Sequence, residues 1–96
     1  MLPGDPKELR ARVDELGEGD GAMSWASQED AMTWLERNQA STDGEVVKAM
    51  VDLCDFMSNR GSKPFAARLA AIEKNAAEKK VRSECGDARE EVEDRD

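Results

Sequence analysis

Ninety-six residues with a net charge of −8, no histidine, no tyrosine and four aromatic side chains describe one small domain with one modest core. Without histidine or tyrosine, general acid-base groups reduce to carboxylates, lysines and cysteines, and the Glu-x-x-His metal motif of carboxylate bundles is impossible. The acid excess also disfavours nucleic acid and anionic membrane surfaces, which are held by neutralising phosphate; its field suits a basic protein partner, or keeps the chain soluble.

Alanine, glutamate, lysine and arginine fill much of the chain, and the alternating Val, Ile, Thr or Tyr runs of strands are missing. The expectation is an all-α fold of about four helices, a single helical domain over 1–84 with a flexible acidic tail over 85–96. The first helix is "DPKELRARVDELG": Asp5 is its N-cap, Pro6 stands at the first helical position, and Gly17 stops it. Leu9, Val13 and Leu16 form one narrow apolar stripe. The "GEGDGA" that follows reads as a loop. It fails as a calcium loop in both registers: counting from Asp14 puts Trp25 where a bidentate Glu is needed, and counting from Glu18 puts Met23 where Gly is needed.

"SQEDAMTWLERNQ" predicts the second helix, with Ser27 as cap and Asp30 three residues on. Ala31, Trp34 and Leu35 make its apolar face, and Trp25 folds back as a staple. Both tryptophans are expected in the core. The third helix, "STDGEVVKAMVDLCDFMSNRG", pairs Thr42 with Glu45 as a capping box and ends at Gly61. Its polar residues Lys48, Asp52, Asp55 and Asn59 form a single thin stripe. A helix so apolar around most of its circumference has to be covered on several sides, as the central element of the fold. The fourth and longest helix, within "SNRGSKPFAARLAAIEKNAAEKKVRSE", follows after a few residues, as in an αα-hairpin or a helix-turn-helix corner. "CGDAREEVEDRD" then carries six acids against two bases and reads as a frayed tail.

Cys54 and Cys85 belong to no Cys-x-x-Cys pair. Cys54 reads as a buried small hydrophobe and Cys85 as an exposed thiol. "MLPGDPKELR" lacks the apolar core of a signal peptide and no run approaches a membrane span, so a reduced, cytoplasmic setting is expected. No base stands near either cysteine and no Gly-rich phosphate loop is present; no enzyme activity, cofactor or metal is expected.

What remains is binding by surface. Eleven acids against four bases fall in residues 1–45, whereas 46–72 carry four bases against two acids. The leading reading is a small acidic interaction module that docks on, and inhibits or adapts, a protein with a basic surface. Its contacts would be Glu15, Glu18, Asp20, Glu29, Asp30 and Glu36. In type, though by no motif, it is similar to small phage-encoded inhibitors of nucleic-acid-handling host machines. The alternative is a helical homodimer, a structural, assembly or chaperone-like component, joined through Val46, Met50, Leu53, Met57, Phe65, Leu69 and Ile72. A third reading, DNA binding through the corner at Arg60, Lys63 and Arg68, is disfavoured because the fourth helix offers few basic groups among its alanines.

Overall fold

Asp5, Ser24 and Asp43 each turn a side-chain oxygen onto backbone N–H groups, and a helix starts at each. The computed structural model describes residues 3–17 and 24–95, and it is all-α. Among those residues the helices are α1 (Pro6–Gly17), α2 (Trp25–Asn38), α3 (Gly44–Arg60), α4 (Ala66–Asn75) and α5 (Lys79–Glu93). A 3-10 turn, Lys63–Phe65, leads into α4.

Two starts differ from expectation. Ser24, rather than Ser27, caps α2, with its Oγ accepting from the Ser27 N–H at 3.2 Å. Trp25 therefore lies in the first turn. Asp43, rather than Thr42, caps α3, accepting from the N–H groups of Glu45 and Val46 at 3.0 and 3.2 Å. A carboxylate satisfies two orphan donors there and also meets the positive end of the helix dipole.

The larger correction concerns the C-terminal third. Residues 62–84 do not form one long helix, and the segment read as a frayed tail is mostly helical. The chain opens to an extended conformation at Ala76 and restarts after Glu78. No glycine or proline marks this break. It is held from elsewhere: the Ala77 N–H donates to the Gln39 carbonyl at 2.8 Å, and Arg82 donates to the carbonyls of Ala76 and Ala77 at 2.7 and 2.9 Å. These bonds replace those a continuing helix would have made.

α5 then buries Val81, Cys85, Ala88 and Val92. Cys85 is not an exposed thiol. It is bonded to Cys54, both side chains are fully buried, and the link joins α3 to α5 with Cα atoms 5.0 Å apart. At the far end, Arg95 donates to the carbonyls of Met57, Ser58 and Gly61, among the last of α3 and its cap. Gly61 is what lets the two helices meet here. A Cβ at that position would stand 2.5 Å from the Met57 carbonyl oxygen and 3.0 Å from Val92 Cγ1.

α4 packs on α5 and α2, and α3 packs on α1, α2 and α5. Of the two joints expected between the third and fourth helices, the hairpin does not form, since α3 and α4 do not pack on each other. Instead Gln28, buried on α2, grips the joint between them: its Oε1 accepts from the Ser62 N–H at 2.6 Å and its Nε2 donates to Ser62 Oγ at 3.0 Å. The apolar surface of α3 is covered by α1, α2 and α5, with Val46, Val47 and Val51 left partly buried. The radius of gyration, 11.9 Å, is close to the ~12.5 Å of a compact chain of this length.

Candidate functional site

The six acids chosen from sequence do not gather on one open face. Glu15 is exposed on α1, 3.2 Å from Arg12. Glu18 and Asp20 lie outside the described residues. Glu29 and Glu36, one helical face of α2, both close on Arg68 of α4. Glu36 takes the guanidinium bidentately, from Nη2 at 2.6 Å and from Nε at 3.1 Å, and Nη1 is paired with Glu29. The bond to Glu36 raises the Arg68 pKa most. Partial burial opposes that rise, and Glu29 adds to it. Asp30, also on α2, is half-buried and engaged. Glu29 and Glu36 fasten α2 to α4 through Arg68.

Arg68 also stands 5.8 Å from the centre of the Phe65 ring, and Trp25 tilts against the same ring with centroids 4.5 Å apart. The two tryptophans separate here. Trp34 is buried and its Nε1 donates to the Pro3 carbonyl at 3.0 Å, whereas Trp25 is 57% exposed, against the core position expected of it.

The proposed subunit contact fares differently. Met50, Leu53, Met57, Phe65, Leu69 and Ile72 are all buried inside the chain, leaving only the partly buried Val46 of that set within reach of a second molecule. The reason is α5, which supplies the cover the sequence reading lacked. The DNA-reading alternative also loses a side chain, since Arg68 is committed to two carboxylates.

A cleft that the sequence reading missed lies where α1 crosses α3. It has a volume of about 360 Å³ and a floor of Val13 and Phe56, with Asp14, Asp52, Asp55 and Arg60 among its walls. Asp52 accepts from Arg10 Nε at 2.7 Å, a bond that, ahead of the charge of Asp52 itself, raises the Arg10 pKa. Asp14 and Asp55 are exposed and form no ion pair with any described residue. A partial signal was present in the polar stripe 48, 52, 55, 59. Nothing in the sequence said that α1 would bring Asp14 alongside it. Among the described residues no group of carboxylates and thiols has the geometry to hold a metal ion, and no helix is long and apolar enough to cross a membrane.

Comparison with protein-family models, with curated proteins and with solved structures finds no match to this chain.

Proposed function

We infer that the protein is a small acidic interaction module that docks on a partner protein with a basic surface and inhibits or adapts it. The observation that carries this reading is the cleft between α1 and α3. It combines an apolar floor with two exposed carboxylates, Asp14 and Asp55, that form no ion pair with a described residue. A lysine or arginine stem would lie on Val13 and Phe56 while its head met the carboxylates. The exposed Trp25 adds the kind of aromatic anchor that interfaces favour. A phage-type inhibitor of a nucleic-acid-handling machine is one protein of this description, its acids standing in for phosphates. The homodimeric assembly reading is the weaker one, because it rests on side chains that the chain buries by itself.

The buried Cys54–Cys85 bond bears on where the module works. Disulfides persist where thiols are oxidised, which weighs against the reduced cytoplasmic setting expected from sequence.

The test is capture of partners by the immobilised chain and by the double variant Asp14→Lys, Asp55→Lys, at low and high salt. Both positions are exposed, so the variant folds. A specific partner should bind the wild type, leave as salt rises, and bind the variant at least about tenfold more weakly, two exposed pairs at ~0.2–1 kcal/mol each plus the new repulsion. A partner held equally by both proteins in high salt, or no partner at all, would sink the reading.

A further inference from the structure

Beyond the Arg10–Asp52 pair, around Val47 and Val51, the charge pattern reverses. α1 and α5 both pack on α3, but among the described residues they do not pack on each other. The gap is a groove of about 330 Å³ whose floor is Val47 and Val51, one turn apart on α3 and only partly buried. Arg10 from α1, Lys48 from α3 and Lys80 from α5 line it, with Asp52. In a chain of net charge −8, three cations from three different helices stand around a part of α3 that the fold leaves partly uncovered.

The cations are not equally spent. Arg10 is held by Asp52 at 2.7 Å, and Lys48 approaches Glu45 only at 3.8 Å, with most of its side chain in water. Lys80 is exposed and forms no ion pair with a described residue. The groove therefore offers an apolar floor with uncommitted positive charge at its edge, and its volume lies at the small end of ligand clefts, about 300 to 1,000 Å³. Asp52 holds Arg10 and Glu45 only loosely meets Lys48, so the edge keeps a net positive charge at Lys80 and Lys48; an anionic occupant complements it and a cationic one would be repelled.

We propose that the groove between α1 and α5 binds a small amphiphilic carboxylate, a medium-chain acid whose apolar body lies on Val47 and Val51 and whose head group faces Lys80 and Lys48. Val47 and Val51, only partly buried by the helices, gain the rest of their cover. The head group stays near the surface, so it keeps part of its hydration while meeting two ammonium groups.

The test is an amide-resolved NMR titration of the full oxidised chain with sodium octanoate, with octan-1-ol as the uncharged control, repeated on the double variant Lys48→Glu, Lys80→Glu. Both lysines are exposed and outside the core, so the variant keeps the wild-type spectrum elsewhere. Octanoate should give saturable shifts at Val47, Val51 and Lys80, with a dissociation constant of about a millimolar or below. Octanol should bind at least about fivefold more weakly, and the variant should weaken octanoate by a similar factor, each ammonium contributing on the scale of a partly exposed ion pair. Four results overturn the proposal: no saturation, shifts centred elsewhere, equal binding of acid and alcohol, or an unaffected variant. Shifts at these amides with protein concentration alone would give the groove to a second copy, and shifts with an acidic Leu- and Glu-rich peptide but not octanoate would give it to a protein partner. Either also overturns it.

Discussion

Trp25 and Trp34 belong to the same helix nine residues apart, yet they sit in opposite environments. Trp34 is buried with its indole N–H bonded to a carbonyl; Trp25 is mostly in water, resting an edge of its surface on Phe65. Chemical denaturation should separate them: Trp34→Ala is expected to cost about 3–5 kcal/mol and Trp25→Ala no more than about 1 kcal/mol. Equal costs would mean that Trp25 is part of the core after all. Arg68 is the second residue that organises this face. Arg68→Ala removes three charge-assisted bonds between α2 and α4, but Glu29 and Glu36 are partly exposed and recover water. A loss of about 1–2 kcal/mol in the same assay is expected, smaller than for a fully buried pair. At this scale the sequence was legible where chemistry is local. Asp5 at its cap and Gly61 at its stop could be read directly. It misled where a residue's role depends on a distant partner, as with the carboxylates that meet Arg68.

The elements show the same division more sharply. α1, α2 and α3 were legible because each combines a start signal with an apolar row at helical spacing. α5 was not, although its row is there: Val81, Cys85, Ala88 and Val92 recur at steps of four, three and four. Cysteine and alanine are weak apolar signals, and the acids around them made the segment look solvated. The break before it carried no glycine or proline, since Gln39 and Arg82 make the bonds that stop α4. α5 matters to the whole because it covers α3 and is tied to it by the Cys54–Cys85 bond, which spans 31 residues. Closing a loop of that length restricts the unfolded chain by about 3–4 kcal/mol in the chain-entropy model. The double variant Cys54→Ser, Cys85→Ser should therefore unfold at clearly lower denaturant than the oxidised wild type, by that order, and more if the buried hydroxyls find no partners. A variant as stable as the wild type would show that packing alone holds α5 in place.

At the scale of the whole molecule, the five helices among the described residues close one core in an envelope of 34 × 27 × 17 Å. The long apolar helix α3 raised the question of what covers it, and the answer is mostly the chain itself. α5 gives α3 a cover from within the chain. Two hollows stay open where α1 meets α3, the acidic cleft and the cation-edged groove, with Asp52 contributing to both. The sequence declared the net charge but not this division, because it arises from how α1 lies across α3. If the fold is self-sufficient, association should follow charge and not apolar surface. Light scattering of the oxidised chain at low and high salt tests this most directly. A monomer of 10.6 kDa is expected in both. A dimer that persists in high salt would mean that a second molecule covers α3, and it would contradict the account.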